Sequence, residues 1–157
     1  MSPAVATTTP VDLEGLLEFV RPRHRVILVT HRAGGEPQLS PVTAGVDGAG
    51  RIVVSSYPER AKVVNLRRNH DASVLVLSDE WNGPWVQVDG TAELLDLPDA
   101  LEPLCEYYRS ISGEHPDWDE YRAAMQRQGK VLIRLTPLDW SPVATGGFPA
   151  RLVDPEA

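Results

Sequence analysis

The sequence has one cysteine, Cys105, in 157 residues, so no intrachain disulfide braces it and no cysteine-based zinc knuckle can form. It has no run near the roughly 18 uninterrupted apolar residues of a membrane-spanning helix. Met1 to Pro10 also lacks a basic start followed by an apolar signal core. A cytoplasmic address without membrane contact is the expectation. Cations are scarce, with 15 Lys and Arg against 22 Asp and Glu and a net charge of −7. That balance argues against general nucleic-acid binding, because phosphate backbones demand a basic surface. Any anionic ligand must therefore meet a local basic patch.

With 42% hydrophobic and 24% charged residues, the composition is that of one ordinary globular domain. A chain of this size buries roughly 68–70% of its unfolded surface, enough to fold without staples or structural metal. The domain is expected over 9–145. The stretches 1–8 and 146–157 show no periodicity and read as flexible tails. Cys105 lies on an apolar helical face with Leu101, Leu104, Tyr108 and Ile111. It reads as a core thiol, since a nucleophile needs an electropositive, part-exposed setting.

Thr9-Pro10 predicts a capped helix start, followed by Leu13, Leu16, Leu17 and Val20 at helical spacing. Three β-rich runs follow: Val26 to Thr30, Gln38 to Val46 and Ile52 to Ser56, separated by Ala33-Gly34-Gly35 and Asp47-Gly48-Ala49-Gly50. Pro58 opens a helix through about Arg68. Ser73 to Leu77 and Trp85 to Leu95 predict two more strands, Leu101 to Ile111 and Trp118 to Gln128 two more helices, and Val131 to Leu135 a sixth strand. Six strands interrupted by helices, without βαβ alternation, indicate an α+β fold, mainly β, built on a six-stranded antiparallel barrel.

The stretch Tyr57 to Asn69 carries the chemistry. It leaves a strand and starts a helix with Arg60 and Lys62 in the first turn, where the helix end is already partly positive. An anion resolves that conflict. Free N–H groups around Ala61 to Val63, with the two cations, make a phosphate site of the helix-terminus kind. Arg67 and Arg68 read as a solvated basic face. His31, His70 and His115 show no metal-ligand spacing, so no metal is expected.

Arg60-Ala-Lys-Val-Val-Asn-Leu-Arg-Arg68, with Ala72-Ser-Val-Leu-Val76, resembles the cofactor segment of the flavin/deazaflavin oxidoreductases, split-barrel relatives of pyridoxamine phosphate oxidase. Gly35 to Ser40 extends the likeness. Tyr108 to Met125 is similar to the mycobacterial-type B branch that uses the deazaflavin coenzyme F420. The resemblance implies an FMN-binding type of split barrel, dimeric, with two cofactor sites between subunits. It implies that Arg60 and Lys62 hold the cofactor phosphate, Val63 contributes backbone, and Asn65 orients the turn. Gln38 and Ser40 then lie beside the ring and its side chain, and Val42 packs on the ring. Trp85 takes the place of an aromatic residue facing the cofactor, with Trp81 an alternative for that role.

The resemblance further implies hydride transfer between reduced deazaflavin and an unsaturated small molecule, with protein groups positioning both partners. No catalytic acid or base is assigned. Arg21, His24 and the neighbouring Arg23 and Arg25 serve equally as contacts to an anionic cofactor tail or as cations complementing a helix end. Two other readings stand beside this one: an FMN enzyme resembling pyridoxamine phosphate oxidase, and a protein that stores the deazaflavin without turnover.

Overall fold

The computed structural model describes residues 4–153. In chain order the elements are β1 (Thr7–Thr9), α1 (Leu13–Val20), β2 (Arg25–His31), β3 (Pro37–Val46), β4 (Ile52–Ser56), α2 (Ala61–Arg68), β5 (Asp71–Val76), β6 (Val86–Leu95), α3 (Leu101–Ser112), α4 (Trp118–Gln128), β7 (Val131–Trp140), β8 (Val143–Thr145) and α5 (Ala150–Val153). Six antiparallel strands close a barrel in the order β2-β3-β4-β7-β6-β5. This is the α+β fold built on a six-stranded antiparallel barrel that the strand pattern predicts. No helix is long and apolar enough to cross a membrane among the described residues.

Strand parity decides what lies inside. Val26, Leu28 and Thr30 of β2 point into the barrel with Val74 and Val76 of β5 and Val86 and Val88 of β6, all nearly fully buried. On β4 and β7 both faces are apolar. Ile52, Val54, Val131, Ile133 and Leu135 fill the barrel, whereas Val53 and Leu132 face outward into a second cluster with Leu104, Cys105, Tyr121 and Met125. Helices α3 and α4 therefore cover β4 and β7. Burial pushes the Cys105 thiol above the usual cysteine range, as expected of a core thiol. Helix α3 also reaches the C-terminal part of β3, where Tyr107 donates to Thr43 O, and among the described residues no helix is packed in this way over the outer face of β2 and β5.

Several local details differ from the sequence reading. Helix α1 is capped by Asp12, whose side chain accepts from Gly15 N–H at 2.8 Å. Thr9 is taken up in β1 opposite Val143 and cannot cap. Pro58 begins a turn rather than the helix, which starts at Ala61. Strand β7 runs on to Trp140, because a register shift between Asp89 and Gly90 lets it keep pairing with β6. Of the two expected tails, 1–3 and 154–157 lie outside the described residues. Elsewhere Thr7 and Thr8 pair with Thr145 and Ala144, and Val5 bridges Phe148.

Candidate functional site

Beyond β4 the chain turns through Pro58 to Arg60, and Arg60 N–H donates to Tyr57 O at 3.1 Å. Arg60 is the N-cap of α2 but makes no side-chain cap bond. The N–H groups of Val63 and Val64 both donate to Arg60 O, at 3.0 and 3.1 Å. Helix geometry thus leaves the N–H groups of Ala61 and Lys62 facing outward. Burial first, and the nearby Arg60 guanidinium second, lower the Lys62 ammonium below the usual lysine range. The site strains against its own charge.

A third cation arrives from a distant part of the chain. Ser56 pairs with Val131, which sets Lys130 beside Tyr57. The Lys130 ammonium lies 4.2 Å from the Tyr57 ring centre, and the Arg60 guanidinium carbon 5.7 Å from it. Among the described residues no carboxylate pairs with Arg60, Lys62 or Lys130. The three line a cleft of about 240 Å³ with Val42, Thr43 and Tyr107. Tyr107 donates its hydroxyl to Thr43 O at 2.7 Å, and burial raises its phenol above the usual tyrosine range.

The cleft opens into a longer track. Pro41, Val42 and Thr43 also line a depression of about 410 Å³ with Arg25, Ile27 and Leu77. Leu77 continues into a third of about 650 Å³, walled by Leu75, Trp81, Trp85 and Gln87. The register explains the continuity, because Pro41, Ile27, Leu75 and Gln87 stand side by side across β3, β2, β5 and β6. One end is cationic and the other aromatic. Among the described residues, no His, Cys, Asp or Glu lines any of the three depressions.

The profile of the pyridoxamine 5'-phosphate oxidase family matches residues 13–144. The chain belongs to that family. Solved structures with the same fold include a conserved hypothetical protein from Mycobacterium tuberculosis, 22% identical, with 89% of each chain covered and a TM-score of 0.71. An F420 reductase is 23% identical over 85% of this chain and 98% of its own, with a TM-score of 0.59. HutZ, the heme storage protein from Vibrio cholerae, is 19% identical over 87% of this chain and 98% of its own, with a TM-score of 0.65. At these identities the likeness is one of fold.

Within this family member, the structure brings Val42, Arg60 and Lys62 into one cleft and sets Trp85 at the far end of the track. Gln38, Ser40 and Asn65 line none of the depressions. Asn65 Nδ2 donates to Thr30 Oγ1 at 3.1 Å, Thr30 Oγ1 donates to Gln38 Oε1 at 3.0 Å, and Gln38 Nε2 donates to Leu39 O at 3.2 Å. This relay ties α2 to β2 and β3 and so fixes where the helix start points. The Ser40 hydroxyl is buried opposite Leu28 without a hydrogen-bond partner among the described residues. The side chain of Val63 is fully buried in the barrel core.

The basic clusters resolve unevenly. Arg67 is not merely solvated but forks onto Asp96 at 2.6 and 3.1 Å, and Arg68 donates to His31 O and Asn65 Oδ1. Arg23 stacks on Phe19 at 3.8 Å while donating to Phe19 O and Ser78 Oγ. His24 Nδ1 meets Ala44 O at 2.8 Å. Arg25 alone of that cluster lines the track. Lys130 is the residue that sequence reading missed, because only the pairing of β4 with β7 carries it to Tyr57.

Proposed function

We propose that this family member is a coenzyme F420 (deazaflavin)-dependent oxidoreductase, acting as a homodimer with its cofactor sites at the subunit interface. One observation carries the reading: Arg60 and Lys62 meet at the start of α2 with no carboxylate partner among the described residues, in a chain of net charge −7. A phosphate there relieves their mutual repulsion and accepts the outward N–H groups of Ala61 and Lys62. The residues present fit the anionic end of the cofactor. An F420 reductase among the proteins of this fold is consistent with the choice of deazaflavin.

When bound, the deazaflavin supplies a carbon that carries hydride in two-electron transfers. The chain's own task is placement. Arg60 and Lys62 hold the phosphate, Val42 packs against the ring, and Trp85 closes the aromatic end. Gln38 and Asn65 hold the helix start in position through Thr30, and Ser40 lies behind β3 as a buried hydroxyl. No side chain of the track is assigned as the acid that follows hydride transfer, a proton that water can supply. Reduced F420 offered with enones, quinones or tetrapyrroles should be reoxidised in an acceptor-dependent way, read from the return of its oxidised absorbance. Tight binding with no turnover on any acceptor would favour storage, and turnover with FMN alone would favour the oxidase-like alternative.

The dimer is inferred from exposed apolar side chains, Leu39 at 58%, Val64 at 48% and Trp81 at 88%, which a subunit interface would cover. Sedimentation velocity should show a dimer at micromolar concentration. A stable monomer there contradicts the shared-site arrangement.

A further inference from the structure

Lys130 is separated from Arg60 by 70 positions in the chain and reaches the same cleft from the start of β7, its ammonium 4.2 Å from the Tyr57 ring centre. Gly129 is what allows the approach: it ends α4 in the left-handed conformation, at φ 63°, and turns the chain into β7 at once. The ammonium rests on an aromatic face rather than on a carboxylate. With Arg60 and Lys62 the cleft holds three positive charges, whereas one phosphate group brings at most about two negative ones. The positive charge gathered there exceeds what one phosphate neutralises.

We propose that Lys130 is a third anion-binding residue, and that it selects ligands whose phosphate carries a second anionic group next to it. The inference rests on the anion site assigned above and deepens it. Arg60 and Lys62 take the phosphate at the helix start, and Lys130, held over the Tyr57 ring, takes the neighbouring charge. Removing the charge of Lys130 therefore costs affinity for a doubly anionic end and spares a single phosphate.

Calorimetric titration of the full chain, free of cofactor, with inorganic pyrophosphate and with inorganic phosphate tests this. Lys130→Met keeps the apolar stem over Tyr57 and removes the charge, and Lys130→Arg restores a cation. Pyrophosphate affinity should fall about 10-fold or more in Lys130→Met and recover in Lys130→Arg, while phosphate affinity changes less than about threefold. A Lys130→Met protein that binds pyrophosphate like the wild type, or loses both anions equally, overturns the inference but leaves the site at Arg60 and Lys62 standing. Wild-type protein that binds neither anion removes that site as well. Thermal melts of the variants confirm that each titration reads folded protein.

Discussion

Lys62→Ala is expected to weaken cofactor binding by roughly 10- to 150-fold while leaving the fold intact. The ammonium sits in the first turn of α2 beside Arg60, and its charge is already disfavoured there by burial and by that neighbour. Its charge-assisted hydrogen bonds to a phosphate are worth about 1.5–3 kcal/mol, which sets the range. Arg60→Ala should lose a similar amount. Arg67→Ala is the control. It sits at the far end of the same helix, paired with Asp96 on an exposed surface, where such a pair contributes about 0.2–1 kcal/mol to stability and nothing to the ligand. Stability of the unliganded protein should move the other way. Removing a cation from the positive end of α2 gains about 0.3–1 kcal/mol, most cleanly in Lys62→Met, which retains the packed stem. Titrations and melts of these variants separate the two signs. Equal affinity losses at Arg60, Lys62 and Arg67 would mean diffuse electrostatics, and no loss at Lys62 would remove the phosphate assignment.

Gly90→Ala should be the more damaging change for the fold. Gly90 sits where the pairing of β6 with β7 shifts register, and a Cβ there would run into the carbonyl oxygen of Thr136, with Thr136 C only 3.0 Å away. Backbone cannot yield as a side-chain tip can. Overpacking of this kind costs about 1–3 kcal/mol, a fall of roughly 2–12 °C in melting temperature for a domain of this length. The damage reaches the aromatic end of the track. Beyond the shift, β7 delivers Trp140, whose indole N–H donates to Val11 O at 2.8 Å, and β8, where Ala144 bridges Trp85. A melting temperature unchanged in Gly90→Ala would show that β7 can slide past Gly90 without loss.

Strands with strict alternation were legible because period-two burial leaves its mark on every residue. Val26, Leu28, Val74, Val76, Val86 and Val88 all point where the pattern sends them. Helix α4 was legible from end to end, since Asp117 caps it and Gly129 stops it. What stayed hidden depends on pairing between distant segments. Nothing near Thr9 says that Val143 will claim it, and nothing near Lys130 says that Ser56 will pair with Val131. At the site, Arg60 and Lys62 announced themselves by breaking a local rule, two cations at a positive helix end. Gln38 and Asn65 came from family likeness, which gave Asn65 the task of orienting the turn. They form, with Thr30, a link behind the helix that holds its start in place.

Trp85 faces the track from its aromatic end, so intrinsic tryptophan fluorescence reports directly on a bound ring. Titrating oxidised coenzyme F420 and FMN separately into the wild-type chain and into Lys62→Ala tests the central assignment most directly. The expected result is tighter binding of F420 than of FMN to the wild type, with both weakened at least about 10-fold by the substitution. Clearly tighter FMN binding, or F420 affinity untouched in Lys62→Ala, would contradict it.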